Sequence, residues 1–137
     1  MENISGVMTN SEQLVNDIAD EETKLITTSV GIAVLKHIAP VVARGLIQRK
    51  KNYGEGGEDA RMNVIACENG KGATDVLKEE VFRVLDKEGN EEDKKWVEEN
   101  IGFANCTVDR IVPPFEHQEN PLDVGVEGFH GTWSILL

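Results

Sequence analysis

The sequence has little positive charge, few cysteines and no long apolar run, and each shortage excludes a class of protein. With 14 basic against 25 acidic residues, its formal net charge is −11, which argues against nucleic acid or an anionic membrane as the main partner. No apolar run approaches the roughly 20 residues of a spanning helix, and the N-terminus lacks the features of a signal peptide. Cys67 and Cys106 do not have metal-ligand spacing. We expect reduced, buried thiols in a cytoplasmic protein rather than a disulfide.

What is present is an alternation of strand-like and helix-like segments. Strands are predicted at residues 4–7, 24–30, 62–67 and 105–112, and helices after Asn10 or Ser11, from Gly31 to about Leu46, and at 74–85 and 91–100. Pro40 is expected to kink or split the second helix, and residues 48–61 are expected to form a surface loop. Helices between buried strands predict an α/β fold with a mostly parallel sheet flanked by helices.

Polar residues follow three of the predicted strands. These segments are Thr27–Gly31, Cys67–Asn69 and the pair Asp109 and Arg110, which precedes two prolines. Because prolines cannot extend a central strand, that pair is expected near the end of an ordered element. Ligands of open parallel sheets bind beyond the carboxyl ends of the strands. We therefore expect the three segments to line one cleft.

Each candidate residue also has a purely structural interpretation. Thr28, Ser29 and Gly31 suit the ribose or phosphates of a nucleotide, but Ser29 or Gly31 would equally suit a helix cap. Asn69 is able to polarise a carbonyl or hold a hydroxyl, and it is also a common turn residue before glycine. Asp109 could belong to a site or to a plain ion pair.

Taken together, residues 26–31, 65–69 and 108–114 resemble the mannitol dehydrogenase family of long-chain polyol dehydrogenases. The resemblance runs from about Ile4 to about Phe129. It implies a Rossmann-like domain and hydride transfer between NAD and a sugar alcohol phosphate, interconverting mannitol 1-phosphate and fructose 6-phosphate without a metal.

The resemblance also implies roles for individual positions. The loop Thr28, Ser29, Val30 and Gly31 would face the cofactor. Asn69 would lie beside the nicotinamide and hydrogen-bond the reacting oxygen. Asp109 would lie at the edge of the site, and Arg110 would hold the loop that carries it.

Several family features have no counterpart in the sequence. The glycine-rich turn of the type Gly-x-Gly-x-x-Gly, the acidic residue that follows the second strand and the context of the catalytic lysine are not found, and residues 130–137 diverge. We therefore expect residues 1–129 to be the C-terminal part of a Rossmann-like NAD-binding domain whose first βα unit is missing. Such a truncated chain is expected to bind NAD poorly, to lack turnover and to self-associate through an unpaired sheet edge.

Two alternatives and one choice of cofactor stay open. The chain could instead derive from a mannitol 2-dehydrogenase or a hexuronate reductase, although those relatives carry Asp where Glu68 stands, which favours the phosphate enzyme. It could also be a non-catalytic α/β remnant that only associates through its sheet edge. NAD and NADP are not distinguished.

Overall fold

The computed structural model describes residues 4–54 and 57–106, and their elements alternate as predicted. In chain order these are α1 (Glu12–Ala19), β1 (Leu25–Thr28), a short 3-10 turn (Ile32–Val34), α2 (Leu35–Tyr53), β2 (Met62–Ala66), α3 (Ala73–Glu88), α4 (Glu91–Asn100) and β3 (Ile101–Phe103). No helix in these two ranges is both long enough and apolar enough to cross a membrane.

The three strands form one parallel sheet in the order β1-β2-β3. Leu25 is paired with Asn63 on one side of β2, and Met62 is paired with Ile101 on the other. Because all connections between parallel strands must cross over, helices lie between them, and the α/β prediction is confirmed. The C-terminal ends of the strands consequently lie at one edge of the sheet.

The core is a single cluster of apolar side chains contributed by the sheet and all four helices. The central strand β2 contributes Val64 and Ala66, and the helices contribute fully buried leucines and valines at helical spacing: Leu35, Leu46, Leu77, Val81, Leu85 and Val97. Helix α1 joins this core through Ile18, which packs on Gly45 of α2 so closely that a Cβ there would overlap it.

The predicted starts of α1 and α4 are confirmed by their caps, whereas α2 begins only at Leu35, after the 3-10 turn that follows Gly31. The Ser11 hydroxyl accepts a hydrogen bond of 3.3 Å from the Leu14 amide at the start of α1. Asn90 begins α4 with a capping box, in which Asn90 and Asp93 each accept a hydrogen bond from the other's amide. Such reciprocal bonds satisfy amides that have no partner within the helix.

The two predictions for the first strands were partly wrong. Residues 4–7 form no strand, and Ile4 is 77% exposed, because no described strand pairs with this segment. The next strand exists but is shorter than predicted, and only Thr28 of its four residues is buried. Its exposure follows from its position, since β1 is the edge strand of the described sheet.

Helix α2 continues seven residues beyond the predicted end at Leu46, so residues 48–53 are not a loop. Pro40 lies inside the helix without splitting it. The extension places the fully buried Arg49 beside the loop before β2. There its guanidinium donates to the carbonyl oxygens of Ala60 at 2.8 Å and Asp59 at 2.6 Å. It also donates to the carbonyl oxygens of Ile18, at 3.1 Å, and Asp20 at the end of α1. A basic residue that the sequence placed in a surface loop therefore ties three segments together.

The third described strand was not predicted from the sequence, which placed a strand at residues 105–112. It spans Ile101–Phe103, whereas Asn105 and Cys106 are not in a strand, and residues 107–112 lie outside the described part of the chain. Gly102 permits the pairing, because a Cβ there would meet the Asn63 side chain on β2. A short apolar segment directly after α4 thus forms the strand that pairs with β2.

Candidate functional site

The loops after β1 and β2 meet at the C-terminal edge of the sheet. The pairing continues past the strands, since the Cys67 amide donates to the Thr28 carbonyl oxygen at 2.8 Å. Beyond this hydrogen bond, the Ile32 side chain packs on Gly70 so closely that a Cβ at Gly70 would overlap it. The two loops form a continuous surface, which we call the rim and define as residues 28–32 and 67–70.

Glu68 holds the rim together. Its side chain is buried, and its Oε1 accepts hydrogen bonds from the Thr28 hydroxyl at 2.7 Å and from the Val30 amide at 3.0 Å. Its Oε2 accepts one from the Gly31 amide at 2.7 Å. Gly31 has a φ of 92°, a backbone conformation that favours glycine. One carboxylate therefore fixes the conformation of the whole loop after β1.

The same contacts keep Glu68 ionised. Burial raises the pKa of its carboxyl group, but the hydrogen bonds from the Val30 amide, the Thr28 hydroxyl and the Gly31 amide together outweigh burial, so that its pKa lies below the ordinary value. The rim accordingly contains a fixed negative charge just below its surface.

This carboxylate changes how the loop after β1 can meet a ligand. The sequence suggested that amides near Gly31 suit a nucleotide's ribose or phosphates, but the Val30 and Gly31 amides already donate to Glu68. An anionic phosphate at these amides would also be repelled by that carboxylate. The helix-cap interpretation holds for Gly31, whose carbonyl accepts from the Val34 amide at 2.9 Å. The arrangement suits the uncharged parts of a nucleotide better than its phosphates.

The predicted cofactor residues are not equally accessible. Ser29, Val30 and Gly31 are exposed on the rim, whereas Thr28 is buried and its hydroxyl donates to Glu68. Val30 presents apolar surface and is 48% exposed. A ligand at the rim would therefore contact the loop from Ser29 onward.

Asn69 lies on the same rim, directly after Glu68 in sequence. It is exposed, and no described residue bonds to its side-chain amide. Its neighbour Gly70 donates to the Glu68 carbonyl oxygen at 2.9 Å, which shows that the turn interpretation also holds. The turn thus presents the Asn69 amide beside the loop that Glu68 fixes.

The predicted pair Asp109 and Arg110 lies outside the described residues, so the structure does not test it. The described chain after β3 nevertheless runs beside the end of β2. Asn105 accepts from the Thr74 amide at 3.1 Å, and the Cys106 thiol lies 3.5 Å from the Ala66 carbonyl oxygen. Within the described residues, no three His, Cys, Asp or Glu side chains cluster as a metal site.

A family model described as the mannitol dehydrogenase Rossmann domain matches residues 1–135. The chain belongs to the mannitol dehydrogenase family. Membership identifies the three-stranded sheet as part of a Rossmann domain of a polyol dehydrogenase, an oxidoreductase, and indicates a nucleotide cofactor. Rossmann domains bind dinucleotides beyond the carboxyl ends of their strands, where this member of the mannitol dehydrogenase family has its rim.

Sequence reasoning missed the structural role of Glu68. The signal for it is the position of a carboxylate directly after a buried strand, where burial demands hydrogen-bond donors. Its donors lie 37 to 40 residues away along the chain, so local sequence did not identify them.

Proposed function

We propose that this chain forms the nicotinamide side of the NAD site in a mannitol-1-phosphate 5-dehydrogenase of the cytoplasm, which interconverts mannitol 1-phosphate and fructose 6-phosphate. Family membership supports the reaction class. The observation that carries the proposal is the exposed Asn69 amide beside the loop that Glu68 fixes.

Asn69 is the residue proposed to act on the substrate. When a carbonyl is reduced, or an alcohol oxidised, negative charge develops on the reacting oxygen, and a fixed donor near that oxygen lowers the barrier. The Asn69 amide has donors that no described residue uses. NAD, when bound, supplies the hydride acceptor.

The loop after β1 is proposed to hold the cofactor. Ser29 offers a hydroxyl and Val30 an apolar side chain, which suit the ribose and the nicotinamide ring respectively, and both are exposed. The positions of Ser29 and Val30 depend on Glu68, whose carboxylate accepts hydrogen bonds from the backbone amides of Val30 and Gly31. Thr28 supports the cofactor loop from below, since its hydroxyl is bonded to Glu68. The residues thus fit the nicotinamide half of the cofactor, and the loop offers no free amide at Val30 or Gly31 for the phosphates.

The preference for a phosphorylated substrate rests on Glu68, since the mannitol 2-dehydrogenases and hexuronate reductases that resemble the chain have Asp at this position. A glutamate is one methylene longer, and here its two oxygens reach the Thr28 hydroxyl and the Gly31 amide together. Asp109 stays assigned to the edge of the site on the family resemblance, with Arg110 holding its loop.

Fluorescence titrations with NADH test this proposal through binding. At millimolar NADH, which offsets the poor NAD binding expected of this chain, we expect fructose 6-phosphate to bind with its reacting carbonyl held by Asn69. Asn69→Ala should weaken sugar binding several-fold, as expected for one hydrogen bond of about 1 kcal/mol, with little effect on NADH itself. Asn16→Ala, at an exposed position on α1, is the control. Equal binding by both variants would contradict the proposal.

The expectation that the 137-residue chain shows no turnover by itself remains a prediction. Oxidation of an alcohol requires a general base that takes the hydroxyl proton. The prediction rests on the observation that none of the lysines here matches the lysine that serves as this base in the family. A steady-state assay with mannitol 1-phosphate and NAD tests it, and robust activity would show that another group serves as the base.

A second candidate function is association of two copies through β1. The carbonyl oxygens of Lys24 and Thr28 accept hydrogen bonds from β2 and the residue directly after it. Because the main-chain groups of successive strand residues point to alternate sides, those of Leu25 and Thr27 point away from β2, where no described strand pairs with them. Leu25 is 54% exposed, and a groove of about 470 Å³ runs beside β1 between α1 and α2. An unpaired, apolar edge of this kind favours strand pairing between chains.

Sedimentation velocity of Thr27→Pro tests this association. The substitution removes an edge amide without removing a hydrogen bond to β2, so it should shift a dimer to monomer while the protein stays folded. Thr27→Val is the matched control and should remain associated. A wild-type chain that is monomeric at all concentrations would contradict this second candidate.

A further inference from the structure

The two cysteines of the chain lie side by side although they are 39 residues apart in sequence. Cys67 follows β2, Cys106 follows β3, and their sulfur atoms are 3.8 Å apart. Both residues are half-buried, so small reagents can reach them. The parallel pairing of β2 with β3 brings the two residues together at the same edge of the sheet.

We propose that Cys67 and Cys106 form a redox-responsive pair that closes to a disulfide at the rim. A disulfide has a sulfur–sulfur distance of about 2.05 Å, so the sulfur atoms must approach each other from the 3.8 Å seen here. Cys106 follows two residues that lie outside any regular element, so its approach to Cys67 requires no change in a helix or strand on its own side. This inference does not depend on the proposed function.

A low-molecular-weight disulfide, such as glutathione disulfide, is the oxidant. The thiolate of one cysteine attacks the oxidant, forms a mixed disulfide and releases one glutathione thiol. The second cysteine, after losing its proton, attacks the protein sulfur of that mixed disulfide and releases the second glutathione thiol. Two protein thiols are oxidised, one glutathione disulfide is reduced to two thiols, and no other reactant is needed.

The disulfide would act on the rim through the residue next to Cys67. Glu68 follows it directly, and its carboxylate fixes the loop after β1 through the Val30 and Gly31 amides. The Cys67 amide also donates to the Thr28 carbonyl oxygen at 2.8 Å. A shift of Cys67 towards Cys106 therefore pulls on the segment that holds the loop. Oxidation is expected to change the environment of the Val30 and Gly31 amides.

Equilibration with glutathione buffers, followed by acid quenching and intact-mass analysis, tests the proposal. Native wild-type chain should lose both free thiols, lose about 2 Da as two hydrogens leave, remain monomeric on non-reducing gels and recover with dithiothreitol. Because the fold brings the thiols together, the equilibrium constant for disulfide formation should be at least about tenfold larger in buffer than in urea. An equal or smaller constant in buffer, or two bound glutathiones per chain, would overturn the proposal.

Single substitutions provide the matched controls. Cys67→Ser and Cys106→Ser each leave one thiol, which should take up one glutathione and form no internal disulfide. Amide spectra of the oxidised wild-type chain should show shifts at Val30 and Gly31 that the Cys67→Ser/Cys106→Ser double variant, which has no thiol to modify, lacks under the same buffer. Shifts of the same size in the double variant would show that the pair does not act on the loop.

A trivalent arsenical provides a second measurement without oxidation. Phenylarsine oxide bonds two neighbouring thiols and releases water, so the native chain should bind one equivalent tightly and each serine variant should not. Equal binding by wild type and variants would contradict the side-by-side placement of the thiols.

Discussion

The Glu68 carboxylate accepts a hydrogen bond of 2.7 Å from the Gly31 amide and so joins two loops that are 37 residues apart in sequence. Together with the bonds from Thr28 and Val30, this contact turns the ends of two parallel strands into one surface. Asn69 lies on that surface directly after Glu68, so the same carboxylate that shapes the proposed cofactor loop also fixes the position of the proposed substrate donor.

Glu68→Gln should destabilise the fold by about 1–3 kcal/mol, the cost of a buried donor left without an acceptor. The single oxygen of glutamine is able to keep the partners of Oε1, but its NH₂ group then faces the Gly31 amide, which is also a donor. Urea unfolding measures the change. Glu79→Gln, at an exposed position on α3, is the control and should stay within about 0.5 kcal/mol of wild type. Equal midpoints for the two variants would contradict the role of Glu68.

The stabilisation from Glu68 should depend on pH in a defined direction. Burial raises the pKa of its carboxyl group, but its hydrogen bonds lower that pKa more, so the folded-state pKa lies below the unfolded-state value. Such a group stabilises the fold fully above its unfolded-state pKa, about 4.3, and loses the contribution as pH falls through the folded-state pKa. The difference in unfolding free energy between wild type and Glu68→Gln should therefore shrink on acidification. A difference that grows as pH falls would have the wrong sign.

Arg49→Lys should destabilise the protein by about 2–4 kcal/mol although it keeps the charge. The guanidinium donates to carbonyls of Ile18, Ala60 and Asp59 at once, and an ammonium group has neither the reach nor the planar geometry to replace it. Thermal or urea unfolding measures the loss. Arg44→Lys, at an exposed position on the same helix, is the matched control. If both lysine variants unfold at the same midpoint, Arg49 does not hold these segments.

Gly45→Ala should destabilise the contact between α1 and α2 despite the higher helix propensity of alanine. A Cβ at Gly45 would overlap the Ile18 side chain, and overpacking of this kind costs about 1–3 kcal/mol. Ile18→Ala/Gly45→Ala should be less destabilised than the sum of the two single changes, because alanine lacks the Ile18 Cγ2 atom, which lies nearest to the added Cβ and which valine would keep. Additive effects in this double-mutant cycle would contradict the packing.

Local patterns predicted some elements well. Ser11 with the spacing of Leu14 and Ile18 predicted α1, and Trp96 with Val97 predicted α4, since caps and amphipathic periodicity depend on neighbouring residues. The strand at residues 62–67 was also predicted almost to its end, because a central strand of a parallel sheet is a short apolar run.

The failures involve contacts between distant segments. Arg49 was predicted to lie in a polar loop. Its hydrogen-bond acceptors are backbone carbonyl oxygens, which every residue type has, so the sequence pattern does not identify them. Residues 4–7 looked like a strand, but a strand needs a partner and none is described there. At the site, Ser29 and Asn69 are both exposed on the rim, while the predicted cleft, which also includes Asp109 and Arg110, stays a prediction. The anchoring by Glu68 depends on donors that local sequence does not reveal.

The most direct test of the account is to map NAD on the isotope-labelled chain by amide chemical shifts at millimolar cofactor concentrations. We expect shifts at Ser29–Ile32 and at Asn69 and Gly70 that saturate with one common dissociation constant, even where binding is weak. Glu68→Gln should weaken both sets together. Shifts confined to the opposite edge of the sheet, around Lys24 and Arg61, or no shifts at the rim, would contradict it.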